Sequence, residues 1–211
     1  MTPQEIEALF TRESGAFLFA RWGRPIAPVV FGVEEETLRT VKGAFEAVAV
    51  LSGHKLAETD PELGSNCMIF FFRDWAELTE VPGLDRLLPD LAPLVARLQA
   101  EGANQYRAFR FEPGGAIKAA FVFLRMDAAL SRLPAEELAL AQVAQVMLLW
   151  SDRAFRDRSP LALARTEAGE TVILRPEIAG LIRAAYDPVL PAVTRDPAHA
   201  LRLFARMEPA Q

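Results

Sequence analysis

Two glutamines offer the first chemistry in this sequence. Gln142 and Gln145 are the only interior polar side chains of EELALAQVAQVMLLW, residues 136–150, and at a spacing of three they share one face of a helix. Such a pair can line a pocket and hydrogen-bond a ligand. It can also satisfy backbone groups of a neighbouring strand or bury against the C-terminal helix. That second reading weighs more, because buried polar groups normally find internal partners. Neither amide can act as a general base, since a neutral side chain takes no proton from water as a carboxylate would. Ser151 and Asp152 follow at the helix end, where such residues either top a cleft or, more commonly, serve a turn.

Other reactive side chains are few. The chain has two histidines, His54 and His199. His54 follows Gly53 at a helix end, where dipole and solvent explain it, and His199 falls in the first turn of a terminal helix. They are too far apart in sequence to make a ligand-spacing motif. Cys67, the one cysteine, opens the apolar run CMIFFF and reads as an inert core thiol rather than a nucleophile. No GxSxG, phosphate loop or dinucleotide fingerprint is present, and Gly114-Gly115 is a turn. Arg153, Arg156, Arg158 and Arg165 approach an anion patch, but Asp152, Asp157 and Glu167 dilute it into a solvated loop.

These residues must be positioned by a core. The segment 136–150 follows Pro134, begins with two acids that favour a helix start, and then runs apolar on nearly every side, which predicts a helix in the middle of the protein. Thr2-Pro3-Gln4-Glu5 carries a capping box with proline in the first turn. Residues 34–51 make the clearest amphipathic helix, with Leu38, Val41, Phe45 and Val48 at helical spacing and Gly53 as its C-terminal cap. Residues 16–22 and 26–31 read as extended, and Pro28 marks the second as an edge or irregular strand. Residues 67–72 predict a buried strand, with helices covering one face of its sheet and partly covering the other. Residues 84–98 look helical but carry Pro89 and Pro93, which predicts two short pieces or a kink. Residues 106–111 and 117–124 flank Glu112-Pro113-Gly114-Gly115 as a hairpin. Beyond the central helix, 151–165 reads as surface loop, 171–174 as a brief strand and 176–186 as a helix. Asp196 caps a last helix containing Leu201, Leu203 and Phe204.

The order of these elements resembles the upper part of a metzincin-type zinc protease, in which HExxHxxGxxH begins on the core helix. The string LRPEIAGLIRAAYD is similar to the matrixin segment that ends in leucine-tyrosine-glycine and packs beneath the site. More closely, the pattern resembles a proteobacterial family of uncharacterised domains that look like metzincins without their ligands. Their motif reads as two acids and a glutamine followed by asparagine-aspartate. The resemblance spans 21–193 and places Ala141, Gln145 and Ser151 at the zinc-ligand positions, Gln142 at the general base and Leu148 at the motif's glycine. This chain departs from the degenerate family too, having neither acid at Ala141 and Gln142. Catalytic zinc needs about three protein ligands plus an open position, and alanine, amides and hydroxyls do not supply them. No metal, no cofactor and no zinc hydrolysis are expected.

Composition bounds the rest. With 211 residues the chain is long enough for one domain with its own core, and no linker or repeat divides 1–211. A net charge of -5 without a basic run argues against nucleic acid, and no apolar stretch is long enough to span a bilayer. The lone cysteine and the absence of a signal peptide at the N-terminus given make the cytoplasm the default, unless a leader was trimmed. The expected fold is α+β: a small twisted mixed sheet packed against a long amphipathic helix and a buried core helix. The expected role is non-catalytic binding of a peptide or protein partner at a protease-like cleft edged by residues 116–124, with Gln142, Gln145, Ser151, Asp152 and Tyr186 facing the ligand. The alternatives are a hydrolase with a metal-free site and a structural or small-ligand protein.

Overall fold

Thr2 opens helix α1 (Pro3–Phe10) as its spacing predicts. The Glu5 N–H donates to the Thr2 hydroxyl at 3.2 Å, and the Thr2 N–H donates back to the Glu5 carboxylate at 2.6 Å. This pairing satisfies two N–H groups that a helix start leaves orphaned. The computed structural model describes residues 1–166 and 169–207, so Glu167 of the arginine-rich stretch lies outside them. After α1 come β1 (Phe19–Ala20), β2 (Pro28–Phe31), α2 (Glu35–Ser52), β3 (Cys67–Phe72), α3 (Leu84–Leu87), α4 (Leu91–Ala100), β4 (Gln105–Phe111) and β5 (Ile117–Arg125). The second half adds α5 (Ala135–Val146), the hairpin β6 (Leu161–Thr166) and β7 (Gly169–Leu174), α6 (Pro176–Ala185), β8 (Val193–Thr194) and α7 (His199–Phe204).

The central sheet has the order β2-β3-β5-β4, parallel from β2 to β5 and antiparallel between β5 and β4. Pro28 begins an edge strand, as a residue without an N–H donor requires. Gly32 then turns the chain from β2 toward α2 with φ +81°, where an added Cβ would lie 2.0 Å from the Phe71 carbonyl oxygen. Side chains of β3 alternate between two cores. Cys67 and Ile69 join Val41, Phe45 and Val48 of α2 and Val143 of α5 in the larger one. Phe70 and Phe72 face a smaller core built by the 3-10 stretch Trp75–Glu80 with α3 and α4. The fold is therefore α+β, with a mixed sheet against the long amphipathic helix and the buried helix, and helices on its second face as well. Burial raises the pKa of the Cys67 thiol to about 12, which keeps it protonated and suits a core residue.

Helix α5 is buried or partly buried from Leu138 onward, but it stops at Val146 rather than at Trp150. No glycine or proline ends it. Its last carbonyls are taken by side chains from three other parts of the chain: Trp150 Nε1 donates to Ala144 at 3.1 Å, Trp22 Nε1 to Val146 at 2.8 Å and the Tyr186 hydroxyl to Met147 at 2.8 Å. Tertiary donors replace the local cap that a sequence pattern would show. The chain then runs extended, with Leu148 bridging Arg21 and the Leu149 N–H donating to Ala20.

Two further expectations change. The stretch 151–165 is not all loop: Leu161–Thr166 pairs antiparallel with β7, and because Leu163 stays exposed its alternation does not read as amphipathic. The strand at 116–124 cannot edge a cleft. It lies inside the sheet, hydrogen-bonded to β3 on one side and β4 on the other, with Phe121 buried. The free edge on that side belongs to β4. Among the described residues no helix is long and apolar enough to cross a membrane.

A candidate binding cleft at the edge of the sheet

The hairpin register decides what β4 presents. The Arg125 N–H donates to the Asn104 carbonyl at 2.9 Å, and Tyr106 lies opposite Phe123 and Ala108 opposite Phe121. Antiparallel pairs alternate between exchanging both hydrogen bonds and exchanging none. Gln105, Arg107 and Phe109 consequently turn their N–H and C=O groups away from β5. No further strand pairs with β4, and among the described residues no hydrogen bond meets those outward groups. The side chains of the same three residues lie on the α5 side of the sheet.

There the glutamine of α5 finds its partners. Arg107 Nη2 donates to the Gln142 side-chain oxygen and, at 3.0 Å, to the Gln105 side-chain oxygen, which also accepts from Gln142 Nε2 at 3.0 Å. Arg107 Nε is sealed from solvent without a partner, while Nη1 bonds nothing and is not sealed. Among the described residues no carboxylate pairs with this guanidinium. Burial lowers its pKa to about 10, so it remains a cation at neutral pH. Gln142 thus supplies a helix-borne acceptor for a partly buried charge. Replacing it with leucine is expected to destabilise the fold by about 1.5–3 kcal/mol, the range of a hydrogen bond to a charged group. The double variant Arg107→Leu/Gln142→Leu should recover most of that loss. Urea denaturation of the wild type, both single variants and the double variant gives the cycle; strictly additive effects would rule the coupling out.

The opposite wall is the segment 148–156, pinned from behind. Arg12 donates to the Trp150 carbonyl and, at 3.1 Å, to the Leu149 carbonyl. The Ser151 N–H donates to Leu9 at 2.7 Å and the Ser151 hydroxyl to Ala8 at 3.2 Å. Asp152 lies 3.9 Å from Arg12, whose pKa is lowered by burial against the raising effect of that carboxylate. Between this wall and β4 lies a cavity of about 420 Å³, with Arg97, Glu101 and Arg156 on its rim. A larger cavity of about 650 Å³ lies beyond Arg12, between α1 and residues 153–159. There Arg153, Arg158 and Arg175 face Glu5, Asp157 and Glu177, and none of its lining residues belongs to a strand.

The expected ligand-facing residues divide. Gln145, Ser151 and Asp152 line the cleft. Gln142 does not line it: buried, it bonds Arg107 and Gln105 from behind, and Gln145 spends its amide N–H on the Ala141 carbonyl at 3.0 Å. Tyr186 is elsewhere: it holds the end of α5, its ring meets His54 at a tilt with Arg21 over its face, and burial pushes the pKa of its hydroxyl up. A nucleophilic serine needs a base within hydrogen-bond reach, but the Ser151 hydroxyl bonds a backbone carbonyl and neither histidine lines the cleft. Among the described residues no cluster of histidine, cysteine or carboxylate could hold a metal ion. Gln105, Arg107, Arg12 and Arg97 escaped the reading of the sequence. The only trace of the first two is an amide and a charge at alternate positions of QYRAFRF. Comparison with protein-family models, with curated proteins and with solved structures gives no match.

Proposed function

We propose that this chain is a non-catalytic, metzincin-like binding domain, and that an extended peptide or protein segment enters the cleft as an added strand on β4. One observation carries the reading: the backbone groups of Gln105, Arg107 and Phe109 point into the cleft without partners. Unpaired edges are templates for strand addition. The wall at 148–156 is fixed by backbone hydrogen bonds to α1 and β1, so little ordering is required when a segment enters. The resemblance to metzincins supports the same mode, since strand addition at a sheet edge needs no metal.

The test is amide hydrogen exchange with a synthetic octapeptide library. Binding is expected to slow exchange at Gln105, Arg107 and Phe109, whereas Tyr106 and Ala108 are already protected by β5. Peptides N-methylated at alternate positions should lose most of their affinity. Binding without added protection at the three outward amides would refute strand addition. Stoichiometric zinc or iron in the purified protein would refute the non-catalytic assignment separately.

A further inference from the structure

Arg107 is held against the sheet by two amides and by no carboxylate. Its Nε is sealed from solvent and the side chain is partly buried; withdrawing a cation from water without a counter-ion is costly, and a structural role alone would be served by a neutral side chain at lower cost. Around it the cleft gathers Arg12, Arg97 and Arg156 against Glu101 and Asp152. Four arginines thus meet two acids in a chain whose net charge is -5. Arg156 also reaches Glu13 at 3.3 Å, but Arg97 has no charged partner among the described residues. The excess positive charge lies where an added strand would run.

Resting on the strand-addition reading, we infer that the cleft selects acidic peptides: a glutamate or aspartate occupies the position facing Arg107, with an apolar side chain two residues away over Phe109. The spacing comes from the sheet. An added strand puts alternate side chains on the α5 side, and residues directly opposite in neighbouring strands bring their side chains within reach of each other. A carboxylate opposite Arg107 meets Nη1, the unengaged face of the guanidinium, in a charge-assisted hydrogen bond. Phe109 packs its ring against the larger core and stays partly exposed, so the next inward position along the added strand is apolar. Gln105, two residues the other way, faces a polar one.

The experiment compares two labelled octapeptide pools by fluorescence anisotropy. One fixes Leu-x-Glu or Glu-x-Leu at its centre, and the other carries glutamine in place of the glutamate. The acidic pool is expected to bind about tenfold tighter or better, the range of a hydrogen bond to a charge, and to lose that advantage at high salt. Arg107→Gln should abolish the difference, and Arg97→Gln should reduce it. In the wild type, the Arg107 Nε–H resonance should shift with the acidic pool and stay put with the neutral one, a readout that needs no variant to fold. Equal binding of both pools, with protection at β4, overturns the charge selection and leaves strand addition standing. Failure of both pools to bind overturns strand addition and the selection together. Acetate that displaces the acidic pool at equal concentration would show a small-anion site and overturn the peptide assignment.

Discussion

Replacing Asp60 with alanine is expected to destabilise the native state by about 3 kcal/mol, because it removes at once the charged acceptor shared by two backbone N–H groups, Asn66 and Arg24. Asp60 is 5% exposed. One carboxylate oxygen accepts from the Glu62 and Leu63 N–H groups at 2.9 Å each, and the other accepts from Arg24 and from Asn66 at 3.1 Å each. Asn66 in turn accepts from the Ala27 N–H at 2.8 Å and donates to the Pro25 carbonyl at 2.9 Å, tying the loop before β3 to β2. Arg24 continues to Glu112 at 2.6 Å in the β4–β5 turn. Losing Asp60 should therefore loosen the hairpin that presents the cleft edge as well as lower stability. Burial raises the Asp60 pKa, but the two backbone N–H groups, Arg24 and Asn66 outweigh it and hold the carboxyl below its usual range. Its stabilisation is therefore complete above the unfolded value of about 3.9 and is lost as pH falls through the folded one. Glu62, exposed and paired to the same arginine, is the control: Glu62→Ala should leave the urea midpoint nearly unchanged, because solvent screens exposed ion pairs. Equal urea midpoints for the two variants would mean that Asp60 does not organise this corner.

The elements that the sequence announces are those fixed by nearby residues. The α1 capping box, the left-handed Gly53 that ends α2 with φ +67°, the break near Pro89 and the turn 112–115 all depend on neighbours within a few positions. The end of α5 does not. Trp22, Trp150 and Tyr186 share that task from far apart along the chain, and their side chains carry no local signal of it. Leu161–Thr166 escaped for a different reason, because a two-stranded ribbon with an exposed leucine lacks the apolar alternation that marks a half-buried strand.

The cleft was legible on one side only. Gln142 and Gln145 stand out because amides interrupt an apolar helix, and Ser151 and Asp152 because they follow its end. What faces them depends on which strand of the hairpin lies outside the sheet, and the expectation puts residues 116–124 at that edge although their apolar run argues for the interior. β5 is the more apolar and indeed lies inside, buried on both faces. Its polar companion is left at the edge, and with it Arg107. Register then selects Arg107 rather than Arg110 to face α5, since a slip of one residue would reverse the faces.

His199 gives the second large effect, and it appears on acidification. Its ring is fully buried between α1 and α7 and packs on Phe19 with centroids 4.4 Å apart. Among the described residues neither ring nitrogen has a hydrogen-bond partner. Burial first, then the charge of Arg202, lower its pKa to about 4 against the raising effect of Asp196, with Arg206 adding a smaller lowering effect. Above the unfolded value of about 6.5 both states are neutral and His199 sets no pH dependence. As pH falls from there toward 4, the unfolded chain takes up a proton that the native state refuses, and stability declines by as much as about 3 kcal/mol. His199→Leu removes both the titration and two unpaired polar atoms at similar volume, so it should be neutral or stabilising at pH 7. By pH 4.5 it should exceed the wild type by about 2 kcal/mol. Urea midpoints at pH 7.5, 6.5, 5.5 and 4.5 measure the divergence. Stability curves that stay parallel over that range would show that the imidazole already has a proton acceptor or donor in the native state, and that its burial is not the liability its surroundings suggest.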